Sequence, residues 1–143
     1  MKIIIGSDHA GYAMKEKVKA FLLDRGIAVE DVGTYSEEAV DYTDFGKKVA
    51  RKVSDGTFDR GILICGTGLG MSMVANRFRG VRAALANDLF SGIMSRRHND
   101  SNIIVMGGRL IGDALALQLV DSWLETPFEG GRHQRRIDKM DEV

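Results

Sequence analysis

The stretch "GILICGTGLGMS", residues 61–72, decides how the rest of the chain is read. An apolar run, Ile62 to Ile64, leads into Cys65, the only cysteine, and glycine then stands at positions 66, 68 and 70. A short apolar run that ends in a glycine cluster is a buried strand running into a tight loop. A helix is expected to open near Gly70 and run to Phe78. Strand, glycine loop and helix together make half of a βαβ unit, whose strands pair in parallel.

Outward from this unit the same alternation repeats. Lys2–Ile5 reads as a strand ended by Gly6. Met14, Val18, Phe21 and Leu22 then mark one face of a helix that Gly26 closes. Ile27–Val32 reads as a second strand, and Phe45, Val49 and Val53 form a helical stripe closed by "SDG". Gly61–Cys65 is the third strand and Val81–Ala86 the fourth. A helix from about Asp88 to Arg97 and a fifth strand, Asn102–Met106, follow. Leu115, Leu119, Val120 and Trp123 mark a last long helix that ends before Pro127. The strands are mostly apolar rather than alternating, as strands covered on both faces are. The expected fold is therefore α/β, a parallel sheet between helical layers, formed as one domain over residues 1–143.

Composition narrows the function classes. Lysine plus arginine and aspartate plus glutamate are both 20, so no strong field favours nucleic acid or an anionic membrane. One cysteine excludes an internal disulfide framework and any multi-cysteine metal site. The three histidines are far apart in sequence, with no H-x-x-x-H or H-x-H pattern, so no metal site is expected. No run approaches the roughly 20 apolar residues of a membrane span, and the opening isoleucines are too few for a signal-peptide core. A cytoplasmic location is expected.

In parallel α/β sheets, ligands bind beyond the C-terminal strand ends. That rule selects "GSDHAG", "CGTGLG", "ND" (residues 87–88) and "GGR" (107–109). In "CGTGLG" the glycines allow close backbone approach and positive φ, so successive N–H groups can form an anion-binding nest, which the following helix N-terminus reinforces. Such surroundings favour thiolate over thiol. Equally, Cys65 could be a buried core residue beside glycines that only turn the chain. Rival motifs fail. The glycine spacing is not G-x-G-x-x-G, and Tyr12 and Ala13 stand where a P-loop needs Lys and Ser/Thr. A phosphatase loop needs Arg at position 71, which is Met71.

Asp8 and His9 follow the first strand, where they could move protons or bind, or Asp8 could cap the next helix. His98 and Asn99 stand before the fifth strand in "RRHND", either as site residues or as a polar helix terminus. Near the C-terminus Arg132 and Arg136, four apart, share a helix face suited to clamping a phosphate, or to plain solvation. This short basic helix, from about residue 131, follows the "EGG" break. Too short to be stable alone, it is expected to dock on something, such as another subunit.

Taken together, "SDHAG", "GTYSEEAVDYTDF", "GILICGTGLGMSMVANRFRGVRAAL", "RRHNDSNIIVMGGRLIG" and "FEGGRHQRRI" resemble the ribose-5-phosphate isomerase B family, essentially end to end. That family also includes allose-6-phosphate and galactose-6-phosphate isomerases. The resemblance implies a Rossmann-like three-layer αβα sandwich with a five-stranded parallel sheet. It implies a homodimer, or a tetramer of paired dimers, with active sites shared between subunits and no metal or cofactor. The implied reaction interconverts an aldose phosphate and its ketose through an enediolate, ribose 5-phosphate and ribulose 5-phosphate first and a six-carbon phosphate as the alternative. Cys65 matches the proton-abstracting cysteine; another branch uses a glutamate at the position of Met71. Thr67 and the amides of Gly66, Gly68 and Gly70 match the enediolate-stabilising loop. His98 matches the ring-opening histidine, Asp8 a residue beside the sugar oxygens, and Asn99 a substrate-binding asparagine. His9, Arg109, Arg132 and Arg136 match phosphate-site positions. One departure is Thr43, where the family commonly has proline after "DY", taken as a change in a turn. The rival readings are a non-catalytic sugar-phosphate-binding protein and a thiol hydrolase using Cys65 with His98 or His9 as base.

Overall fold

The structure is a computed structural model describing residues 1–143. In chain order it contains β1 (Ile3–Ser7), α1 (Tyr12–Asp24), β2 (Val29–Asp31), α2 (Tyr42–Ser54), β3 (Arg60–Cys65) and α3 (Leu69–Ala75). Then follow β4 (Ala83–Leu85), α4 (Leu89–Asn99), β5 (Ile103–Gly107), α5 (Asp113–Glu125) and α6 (Arg132–Met140). The strands form one parallel sheet in the order β2-β1-β3-β5-β4.

Strand alternation explains the three layers. Ile3, Ile5, Ile62, Ile64, Ile104 and Met106 face a core completed by Val18 and Leu22 of α1 and Leu119, Val120 and Trp123 of α5. Ile4, Leu63, Cys65, Ile103 and Val105 face the other way, against Val49 and Val53 of α2 and Met71 and Ala75 of α3. Each fully buried aliphatic side chain contributes about 1.5–3 kcal/mol, which makes the two cores the main stabilising term. The αβα sandwich and five parallel strands agree with the sequence reading.

The boundaries moved at the sheet edges. β2 and β4 have three residues each, shorter than Ile27–Val32 and Val81–Ala86, because an edge strand pairs on one side only. β1 runs through Gly6 to Ser7, since β3 carries its ladder on as far as Ser7 opposite Ile64, while β2 stops opposite Ile5. α3 starts at Leu69 and stops at Ala75, with Arg77 and Phe78 in turns rather than helix. α4 is longer than expected: Asp88 caps it, accepting the Ser91 N–H at 2.7 Å, and its last turn contains His98 and Asn99. Thr43 lies in the first turn of α2, not in a separate turn. Proline is tolerated in that first turn, so threonine there leaves the helix intact.

One charged group is buried outright. Lys15 of α1 is fully buried, and its Nζ lies 2.5 Å from Asp31 at the end of β2 and 3.0 Å from Glu16. Asp31 also pairs with Lys19 at 2.8 Å and accepts the Gly33 N–H at 2.9 Å. Burial raises the Asp31 carboxyl, but the lysine and amide hydrogen bonds outweigh it and hold it below the usual range.

Candidate active site

β1 and β3 are neighbours, yet the connection from β1 leads outward to β2 and the connection from β2 crosses back to β3. The chain therefore reverses between them, and α1 and α2 cover opposite faces. Such a switch point leaves a crevice beyond the strand ends. Three loops meet there. The Asp8 N–H donates to the Ile64 carbonyl (3.2 Å), the Gly108 N–H to Cys65 (2.7 Å) and the Arg109 N–H to Gly66 (2.9 Å). The approach is close enough that a Cβ on Gly107 would lie 2.7 Å from the Thr67 carbonyl oxygen.

Within this crevice Cys65 points from the end of β3 toward α3. It is 5% exposed, beneath the loop rather than at its mouth. The Gly68 N–H donates to its Sγ at 3.2 Å. Gly68 has φ +85° and precedes α3, and a Cβ there would strike Leu85 at 2.5 Å. Thr67 Oγ1 accepts the Leu69 N–H at 3.2 Å. Gly70 and Met71 begin the helix, where N–H groups have no intrahelical acceptor. A sulfur with an N–H donor beside it, next to amides free to take negative charge, can accept a proton and stabilise the anion left behind.

The neighbours are held by their own loops. Asp8 is buried, and its Oδ1 accepts the Gly11 N–H at 3.1 Å, a local bond just ahead of α1 that leaves Oδ2 without a protein donor. His9 Nδ1 accepts the Val40 N–H at 3.2 Å, so the neutral ring carries its proton on Nε2 and can donate it. Arg109 is exposed and lies over Gly66, 3.5 Å from where a side chain there would begin. Asn87, in the "ND" flagged after the fourth strand, has a role the sequence did not disclose. Its Nδ2 donates to the Thr67 carbonyl (3.3 Å) and its Oδ1 accepts the Gly107 N–H (2.8 Å), which ties the glycine loop to β5.

The remaining candidates are at the other end of the sheet. α4 runs back from the upper strand ends, so His98 and Asn99 lie near the start of β5. The Asn99 carbonyl accepts from Arg82 Nε at 3.0 Å, just before β4 begins. Cys65 pairs with Gly107 and Gly61 with Ile103, so β5 alone puts about 13 Å between the two groups. α6 packs beside the end of α4, with His133 and Ile137 buried and Arg132 and Arg136 exposed. A cleft of about 350 Å³ opens here, lined by Arg82, Asn99, Ile137 and Met140 among others. The structure thus brings together Asp8, His9, Cys65, Thr67 and Arg109, and separately His98, Asn99, Arg132 and Arg136. The Cys65 thiol is hydrogen-bonded to the Gly68 N–H and not to His9 or His98, and His9 Nδ1 accepts the Val40 N–H instead.

The premise that the histidines are far apart holds only in sequence. His98 and His133 stack with ring centroids 4.3 Å apart and 13° between planes, and Glu129 completes a group of three donors within 4.8 Å. Parallel rings direct their lone pairs side by side, whereas a metal about 2.0–2.1 Å from each nitrogen needs them to converge. As arranged, the group is suited to protons.

A switch-point crevice holding a thiol and an amide nest defines a doubly wound α/β enzyme acting on a small anionic metabolite. The Ribose/Galactose Isomerase family model matches residues 3–140, and the chain belongs to that family. It is 45% identical over 139 residues to ribose-5-phosphate isomerase B of Escherichia coli, spanning 97% of this chain and 93% of that protein. The crystal structure of a ribose 5-phosphate isomerase from Thermotoga maritima superposes with a TM-score of 0.97 at 58% identity, over 99% and 98% of the two chains. Ribose-5-phosphate isomerase B from Mycoplasma genitalium, solved with bound ribulose-5-phosphate, gives 0.95 at 40% identity, over 99% and 94%. No helix is long and apolar enough to cross a membrane.

Proposed function

We propose that this chain interconverts ribose 5-phosphate and ribulose 5-phosphate, with Cys65 as the base. The observation that carries the mechanism is the Gly68 N–H donating to Cys65 Sγ beside the open amides of α3. The thiolate removes the proton from C2 of the open-chain aldose. The electron pair moves into the C1–C2 bond, and the carbonyl oxygen becomes the enediolate oxygen facing Thr67 and the amides of residues 66–70. A proton passes from the C2 hydroxyl to the C1 oxygen, and returning the abstracted proton to C1 then gives the ketose. Asp8 Oδ2 binds sugar hydroxyls, and His9 Nε2–H and Arg109 hold phosphate. The chemistry is an internal redox exchange between C1 and C2 and uses no external oxidant or cofactor.

His98, Asn99, Arg132 and Arg136 act in a partner's site. His98 donates a proton to the ring oxygen as the sugar opens while the anomeric hydroxyl gives its proton to Asp8 Oδ2, Asn99 binds substrate, and the two arginines add phosphate contacts. The protein works as a homodimer, alone or paired into a tetramer, because one chain holds its two sets of groups at opposite ends of the sheet. A cytoplasmic location fits a phosphorylated substrate.

The family description spans ribose and galactose isomerases, so a six-carbon phosphate is the second reading. One extra CHOH unit discriminates strongly only where a polar group reads it. A panel of ribose 5-phosphate, allose 6-phosphate and galactose 6-phosphate decides. The five-carbon sugar should show the highest kcat/KM. A higher value for either six-carbon sugar overturns the substrate assignment, and no turnover of any of the three leaves only binding.

A further inference from the structure

Two groups at the lower end of the sheet have no part in the mechanism above: His133 and Glu129. The His133 ring, in the first turn of α6, is 6% exposed and fixed by its packing. Its face lies on His98, in the last turn of α4, whose side chain is 43% exposed and presents its other face outward. Glu129 is anchored too, since its N–H donates to the Arg97 carbonyl at 3.0 Å. Its Oε1 stands 3.8 Å from His98 Nε2 and 3.6 Å from His133 Nε2. The geometry points to His133 and Glu129 as positioning residues for His98, a ring platform that fixes its plane and a carboxylate that faces its Nε2 edge and so sets which way the ring turns. This rests on the reading of His98 as the ring-opening acid.

A half-exposed histidine on a helix end otherwise turns freely about its side-chain bonds, and a general acid must stay within hydrogen-bond reach of its target. Two stacked imidazoles repel if both are charged, so the platform works only while neutral. Burial, the adjacent His98 and Arg132 hold the His133 ring below the usual histidine range, with Arg136 adding and Glu129 opposing. The carboxylate's charge is then left to His98. The charged groups around the pair are Arg97 on α4, Arg132 and Arg136 on α6, and Glu129 between the helices. Asp100, at the end of α4, is already taken by Arg82 and Arg96.

The test uses the full-length protein with His133→Ala, His133→Phe, Glu129→Gln and His98→Asn. Each is assayed on ribose 5-phosphate and on an aldotetrose 4-phosphate, whose phosphorylated hydroxyl prevents ring closure. His133→Ala and Glu129→Gln should lower kcat on the pentose about tenfold, with KM changed by less than about twofold and the tetrose rate kept. His133→Phe should recover most of the alanine loss, because it restores a ring. Nitrogen NMR should show the His98 Nε2 resonance displaced in Glu129→Gln. Equal losses on both substrates, a phenylalanine variant no better than alanine, or an unchanged His98 Nε2 resonance would each overturn the positioning role. If His98→Asn costs the same on both sugars, the ring-opening reading itself fails, and the NMR result still reports on the pair.

Discussion

Cys65 is the residue on which the proposed chemistry turns, and the N–H that its Sγ receives supports that proposal over packing alone. Its Sγ receives an N–H from the loop, which an apolar core residue would not need. Cys65→Ala should lower kcat by at least about 10²-fold while an unreactive sugar phosphate still binds, measured by steady-state kinetics and calorimetry. Equal loss of binding and turnover would mean a structural cysteine. Gly68 tests the loop itself. With φ at +85° and Leu85 2.5 Å from an added Cβ, Gly68→Ala should cost about 1–2 kcal/mol from the backbone alone, read by denaturant unfolding, and lower activity too. Unchanged stability would show that the loop relaxes. At this scale the sequence was informative where the chemistry is local: Cys65, Thr67 and the glycines are neighbours in the chain and in space. Asn87 was visible only as part of a strand-end dipeptide. His133 and Glu129 gave no signal, because His98 lies 35 residues from His133 and only the docking of α6 on α4 brings them together.

At the scale of elements, two attachments are testable. Lys15 ties α1 to β2 with no exposure of its own, and Asp31 is its closest partner. Removing one partner of a buried pair leaves an uncompensated charge, so Asp31→Asn should destabilise by about 3–5 kcal/mol in thermal or urea unfolding. A loss below about 1 kcal/mol would mean that Glu16 suffices. The second attachment is α6 on α4 through the histidine stack. The folded state holds His133 below its unfolded value, about 6.5, so the unfolded chain binds the extra proton first. That contribution is complete above about 6.5 and is lost as pH falls through the folded value. Amide exchange in α6, corrected for intrinsic rates, should therefore rise as pH falls below about 6.5, and His133→Phe should remove the dependence. Exchange that stays flat in the native protein would sever this link. Five strands and their helices were legible because apolar runs and 3.6-residue stripes are strong local signals. The three-residue edge strands were overread, since β-rich sequence extends beyond the pairing that a single neighbour allows. Strand–helix alternation also implies that the end of α4 lies at the start of β5, so the separation of His98 from Cys65 could have been read from topology before any coordinates.

At the scale of the whole molecule, one chain holds the two groups of proposed site residues at opposite ends of the sheet, with Cys65 at the end of β3 and Arg132 beside the lower strand ends. The central claim is that two chains complete each other's site. Two inactive variants, Cys65→Ala and Arg132→Ala, should complement when they exchange subunits. A mixed dimer has one site with both lesions and one with neither, and random pairing makes about half of all dimers mixed. Activity after mild dissociation and reassociation should rise to roughly a quarter of the native value, with each variant alone as control and exchange verified by mass spectrometry. Verified exchange without regained activity would contradict the account and place Arg132 either within its own chain's site or outside the chemistry altogether.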